Sequence, residues 1–463
     1  MSIQDLQNMA ELHEQQEKNL APRRDWISLY KEKARELLYA HGYPSRKDED
    51  WKQTSLSQLK NMSFAAAEFS LKKELPQLSL SGNEHTLVFL DGYFYQELSS
   101  PIVETESMFI GPLSHALQGY QHKLKSFLEE GQETSKGHAF TRLNDSFLRE
   151  GVFAYMGPQQ TFSKIVKILY LSSDSNLSTA KNRAFFPRNI YLLDEGSSLR
   201  ISEHYEMLPP QKIKSKEQIK NKDQVGLSPY FTSALSQIKL SPLAQCHWAR
   251  VQNEHPSSLY ISELKVEQAS ESTFHGFHAC LGATSSRESI HIKLAGEGAE
   301  SSLQGIAHSD PKKTSTDEDQ SQKHVFHFHI EHAASHTQSE QLFKTMAGDG
   351  GQCYFQGKIQ VRDQIKKIKA HQLNKNLLLH KAGVVGSSPQ LEIDSDDVKC
   401  SHGSTVGQLR EEEIHYLRSR GISQEKAISM LSHAFIQDTL SRFPDDEMRL
   451  LITKKVEEQV GPL

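Results

Sequence analysis

Cys400 and His402 stand two residues apart in DDVKCSHGST (396–405). On an extended strand that spacing puts both side chains on one face. A thiolate beside an imidazole can ligate iron, zinc or an iron–sulfur unit. Two ligands do not close such a site, so another chain would have to supply the rest. By spacing alone, a buried structural cysteine next to a surface histidine is the better fit. A second candidate is HVFHFHIEHAASH (324–336), where His327 and His329 share a strand face opposite Phe326, Phe328 and Ile330. That face suits a paired-histidine metal site, or else a solvated, partner-facing strand with its apolar side in the core. HExxH does not occur, which removes the zinc-protease reading. GxxxxGK[ST] and GxSxG are also absent, so neither phosphate-loop ATP hydrolysis nor a nucleophile-elbow hydrolase is expected. Cys246 and Cys280 fall in strand-like runs and read as small buried hydrophobes.

The elements that must position these residues change character along the chain. RRDWISLYKEKARELLYAHG repeats Trp26, Leu29, Tyr30, Leu37 and Leu38 at helical spacing, with Gly42 as a stop and Pro44 beyond it. From about residue 86 the period becomes two. HTLVFLDGYF gives a strand and a turn. IVKILYL, NIYLLD, SLRISEHYE, SIHIKLAG, CYFQGKIQVRD and QLEIDSDD follow as short strands. In SIHIKLAG, Ile290, Ile292 and Leu294 point one way while His291 and Lys293 point the other. A long run of such strands without helices between them predicts an all-β body. Periodicity alone does not choose among a sandwich, a barrel and a stacked solenoid. Residues 209–224 and 308–323 are polar and charged and read as surface loops. After about residue 406 the helical period returns. Ser423 is placed to cap SQEKAISMLSHAFIQDTL, in which Ala427, Met430, Leu431, Ala434 and Phe435 form an apolar stripe. A last helix is expected after Pro444, with Asp445, Asp446 and Glu447 in its first turn. The predicted order is a helical region over 1–85, a β body over 86–405 and a helical region over 406–463.

Composition narrows the function class. The chain has 463 residues, enough for two or three structural units, and 37% of them are hydrophobic. Its 53 basic and 58 acidic residues leave a formal charge of −5, so nothing predicts binding to nucleic acid or an anionic membrane. Four scattered cysteines without CxxC fit reduced thiols rather than a disulfide framework. No run approaches the length of a membrane span, and MSIQDLQNMAELHEQQ has no apolar core, so a cytoplasmic chain is expected.

Longer stretches carry a family resemblance. AHQLNKNLLL (370–379), PQLEIDSDDVKCSHGSTVGQL (389–409) and YLRSRGI (416–422) resemble the SufB/SufD family of iron–sulfur cluster assembly scaffolds. FPRNIYLLDEGSSLRISEHYE (186–206), YFTSALSQIKL (230–240), CHWARVQ (246–252), LVFLDGYF (87–94) and FTRLND (140–145) are similar to it as well. The front segment SRKDEDWKQTSL (45–56) and the histidine of KCSHGST place the resemblance on the SufD side. The resemblance implies a right-handed parallel β-helix with helical regions at both ends. It implies pairing with a SufB-like paralogue through the β-helices, and a SufC-like ATPase docked on the C-terminal helices. It assigns His402 to a nascent cluster, or iron, shared with that paralogue, with Cys400 beside it. No nucleotide would be bound by this chain, and its role would be non-catalytic. On the amphipathic helical region, Leu417, Arg418, Met430, Leu431 and Phe435 become the docking candidates. A solenoid edge left without its partner is expected to self-pair as a homodimer. Two other classes fit parts of the pattern. One is a polysaccharide-acting β-helix enzyme, for which no persuasive carboxylate pair is visible. The other is a histidine-rich metal-delivery protein.

Overall fold

The computed structural model describes residues 25–62, 64–66, 83–134, 139–173, 182–208, 229–310 and 321–460, with residues 7, 8, 10, 11 and 14 ahead of them. From Tyr230 onward, successive strands go to alternate sheets. One sheet takes Tyr230–Leu240, Leu259–Gln268, Ser285–Leu294, Gln322–His332, Gly351–Val361 and Val384–Ile393. The other takes Gln245–Asn253, Thr273–Cys280, Glu300–Ser309, Gln338–Ala347, Ile368–Leu378 and Val398–Gln408. Each strand pairs in parallel with the one a full coil earlier. The molecule is therefore mainly β, a two-faced parallel β-helix with helices at its ends.

The register explains the period of two. Residues one coil apart sit side by side, so an inward position in one strand continues as a column through the stack. Val266, Ile292, Ile330, Ile359 and Leu391 form one such column. Burying each of these branched side chains fully contributes about 1.5–3 kcal/mol. Outward residues carry no such requirement.

The N-terminal end of the stack is closed. Helix Trp26–His41 is capped by Asp25, whose carboxylate accepts from the Ser28 N–H at 2.9 Å. It ends at Gly42, in a left-handed conformation (φ 69°). Tyr30, Ala34 and Leu38 are buried, while Leu29 is 51% exposed and falls outside the expected stripe. The short strands Val103–Glu104, Met108–Pro112 and Val152–Met156 pair antiparallel or terminate the first sheet. Helices Leu113–Gly119 and Gln121–Thr134 cover them, with Leu113, Ala116, Leu124 and Leu128 against Phe109, Phe153 and Ile190. Helix Ala139–Ser146 follows, and all eight of its residues are buried.

These three helices interrupt a stretch that reads as strands alone. Ala139–Ser146 has no polar side to show, because Asn144 and Asp145 are satisfied inside. Asn144 donates to the carbonyls of Pro187 (3.1 Å) and Ser233 (2.8 Å), and Asp145 pairs with Arg188 at 2.7 Å. Of the two expected polar loops, 209–224 lies outside the described residues, as does 311–320 of the second. The flanks of the second, 308–309 and 322–323, belong to strands rather than to a loop.

At the C-terminal side, helices Glu411–Ser419, Gln424–Ser441 and Asp446–Val460 fold back along the outside of the second sheet. Ile436, Leu440, Phe443, Met448, Ile452 and Val456 pack on Val251, Phe277 and Ile306. Ser423 accepts from the Lys426 N–H (3.3 Å), and Asp445 caps the last helix through the Met448 N–H (2.9 Å). Arg200 and His247, on the sheet, reach the same Asp445 carboxylate at 3.4 and 3.3 Å.

Candidate functional site

The strands Val384–Ile393 and Val398–Gln408 form the last coil, and each is paired along one edge only. The helices that follow leave sideways onto the sheet instead of covering this end. Most of both strands is half-buried or exposed, including Val384 (42%), Ile393 (37%) and Val406 (57%). Cys400 and His402 lie on Val398–Gln408, where Ala370 and Gln372 are their register partners one coil below. Cys400 is half-buried against the apolar group of Ile359, Val361, Ile368 and Ala370, and His402 is exposed.

The coil interior becomes hydrophilic as this end is approached. Ser404 donates to Ser387 across the coil at 2.8 Å, and Ser387 donates to Asn374 at 2.7 Å. Asn376 donates to Asn374 at 2.7 Å. Gln372, fully buried beneath His402, donates to Gln341 at 2.6 Å but leaves its own carbonyl oxygen without a partner. Burial raises the Cys400 thiol above its ordinary pKa, with the backbone of Ala370 opposing the shift. The thiol thus stays protonated until a metal displaces the proton.

The docking candidates lie on the C-terminal helices. Helix Glu411–Ser419 buries none of its residues; Leu417 is half-buried, Arg418 exposed and Tyr416 58% exposed. In Gln424–Ser441 the buried face is Ala427, Ser432, His433, Ile436, Thr439 and Leu440. Met430 and Leu431 are half-buried, Ala434 is exposed, and the expected stripe is therefore rotated off the core face. Phe435 packs at the margin of the sheet contact, with the Lys344 ammonium 4.7 Å above its ring.

His327 and His329 project together from the outer face of Gln322–His332, and each is engaged. His327 Nε2 meets the Asp50 carboxylate at 3.2 Å. His329 bonds Gln360 at 3.1 Å and stacks on His291 with ring centroids 4.7 Å apart. Burial lowers the His329 pKa to about 4. Asp50 is carried by the front segment that also stacks Trp51 on Phe140 (5.3 Å) beneath the Arg287 guanidinium (4.0 Å).

A buried ionic group in the middle of the coil was not foreseen. Glu203 accepts from Tyr191 (2.9 Å), Ser236 (2.8 Å), Trp248 (3.1 Å) and Arg250 (2.8 and 3.0 Å), all inside the solenoid. Burial alone would raise its pKa, but the Arg250 guanidinium and these donors hold it below the usual range. The signal available in the sequence was inward-phase polar residues: Glu203 alternates with Ile201 and Tyr205, and Arg250 with Trp248.

Comparison with known proteins adds the following. Residues 176–435 match the family model of the SufBD core domain of SUF-system iron–sulfur cluster assembly, and residues 3–168 match that of the SufBD N-terminal region. A SufBD family protein of Synechocystis is 26% identical over 89% of this chain and 86% of its own. The iron–sulfur cluster assembly protein SufD of Escherichia coli is 26% identical over 91% of this chain and 90% of its own. Protein ABCI7, chloroplastic, of Arabidopsis thaliana is 23% identical over 89% and 82%.

Proposed function

Because the chain belongs to the SufBD family of iron–sulfur cluster assembly proteins, we propose that it is a SufD-like, non-catalytic scaffold subunit that builds clusters at an interface shared with a SufB-like paralogue. The uncovered last coil carries this reading. Solenoids close their ends with polar or helical caps, and among the described residues only the first end of this one is capped. Two free strand edges invite strand pairing with another chain. Such a partner would bury Val384, Ile393 and Val406, and would bring its own ligands to His402 and Cys400. The incomplete ligand pair then becomes half of a shared site, holding a transient cluster or iron.

The C-terminal helices supply the second contact. Leu417, Met430 and Leu431 are half-buried and Arg418 is exposed, and they form the docking face for a SufC-like ATPase. Phe435 braces that face from the core side. The chain itself binds no nucleotide; hydrolysis in the attached ATPases would move the helices against the coil. The four cysteines form no disulfide, in keeping with a reducing compartment such as the cytoplasm, and among the described residues no helix is long and apolar enough to cross a membrane.

The test is co-expression with the SufB-like and SufC-like proteins of the same organism. A stable complex is expected, and His402→Ala should leave its composition unchanged while abolishing iron and acid-labile sulfide. Normal cluster content in that variant would remove His402 from the site. Failure of the wild-type chain to bind either partner would overturn the scaffold reading itself.

A further inference from the structure

The interior of the β-helix contains a second donor set, remote from the open end. His278 and Cys280 point inward from Thr273–Cys280, and Glu288 points inward from Ser285–Leu294 on the opposite sheet. One ligand atom from each lies within 4.8 Å of the others, and all three residues are buried. Cross-sheet placement is what brings an imidazole, a thiol and a carboxylate together here. Among the described residues it is the group of His, Cys, Asp and Glu close enough to share one metal ion.

The hydrogen bonding around this group is incomplete. Neither ring nitrogen of His278 has a hydrogen-bond partner, although Nε2 is 3.4 Å from Glu288 Oε1, and that oxygen has none either. The other Glu288 oxygen accepts from Ser262. Buried polar groups are satisfied in the great majority of cases, so the orphan His278 Nε2 and Glu288 Oε1, 3.4 Å apart, call for an occupant. Charge points the same way. Arg250 already spends its Nε and Nη2 on Glu203, and its Nη1 stands 3.9 Å from Glu288. One guanidinium thus faces two carboxylates in a dry interior, where an uncompensated charge is expensive.

We propose that His278, Cys280 and Glu288 form a buried binding site for a single divalent transition-metal ion of borderline softness, zinc or ferrous iron. The nitrogen, sulfur and oxygen donors suit such ions rather than magnesium or calcium. A tetrahedral ion with bonds of about 2.0–2.3 Å holds its ligands about 3.5 Å apart; His278 and Glu288, at 3.4 Å, already stand at that spacing, and no pair is more than 4.8 Å apart. The Cys280 thiol gives its proton to solvent as the bond to the metal forms, and the metal neutralises the excess carboxylate. This site goes beyond the scaffold role and belongs to the isolated chain.

The test uses the full-length chain alone, purified under reducing, anaerobic conditions and exposed to zinc(II), iron(II) or cobalt(II). About one ion per chain should survive desalting, and the cobalt form should show thiolate-to-metal charge transfer. Cys280→Ser should abolish that band and His278→Gln should lower retention. Cys400→Ser and His402→Ala should change neither, which separates this site from the interface site. Loss of the band in Cys400→Ser but not in Cys280→Ser would overturn the proposal. So would an absence of retained metal. Should Cys280→Ser fail to fold, anomalous scattering from metal-soaked wild-type crystals decides. A peak bridging His278, Cys280 and Glu288 supports the site, and a peak elsewhere or none refutes it.

Discussion

At the scale of single residues, the solenoid interior holds ions that can be neither hydrated nor removed singly. Arg250→Met would strand Glu203 among Tyr191, Ser236 and Trp248 without its cation, a change that costs about 3–5 kcal/mol. The urea midpoint should fall accordingly, and adding Glu203→Gln should restore part of the loss. Buried histidines set the acid side of stability. His332 has both ring nitrogens bonded, to Thr337 and Ser339, and burial lowers its pKa to about 4. His85, His275 and His329 are lowered to about 4 by burial as well. Their unfolded forms take up protons near pH 6.5, so their contribution is complete above that pH and is lost as pH falls toward 4. Burial moves two carboxyls the other way, Glu254 to about 8 and Glu150 to about 7. Their contribution is complete below about pH 4.5 and is lost as pH rises through 7 and 8. His324 is likewise lowered to about 4 by burial, so five histidines outweigh two carboxyls below pH 6.5, and of these groups only the carboxyls titrate above it. Thermal unfolding of the metal-free chain should therefore show its highest midpoint near pH 6.5; a maximum above pH 8 would contradict this balance.

At the scale of elements, the proposed docking face on the C-terminal helices can be tested separately from their packing. Met430→Asp or Leu431→Asp should weaken ATPase binding by about tenfold or more while moving the melting temperature little. Phe435→Asp, beside Lys344 and the sheet, should destabilise the fold as well as the contact. Co-purification yield set against melting temperature distinguishes the two outcomes. Element scale is also where the sequence was most and least readable. Period-two runs and the caps at Ser423 and Gly42 are visible because they depend on neighbours a few residues away. Helix Ala139–Ser146 is not, because its Asn144 and Asp145 are satisfied by Pro187, Ser233 and Arg188, more than forty residues downstream. Cys400 and His402 stand out as a pair on one strand. His278 and Cys280 have the same spacing, yet their partner Glu288 sits on the opposite sheet, and no local pattern announces a contact across the coil.

At the scale of the whole molecule, the two ends of the solenoid differ. The first is sealed by antiparallel strands and by the helices around Leu113–Gly119 and Gln121–Thr134. The last presents free edges with Ile393 and Val406 exposed. Placing lysine at both positions should reduce self-association and paralogue binding by about tenfold or more without lowering the melting temperature, because neither side chain is buried in the single chain. Sedimentation of the variant, alone and mixed with its partner, measures both effects. In the language of polymer growth, a unit with one reactive end is a chain stopper. Two such units join and a third finds nothing to add to, so an excess of either subunit should yield pairs and never fibres. The size of the assembly is thus set by which end the chain chose to seal.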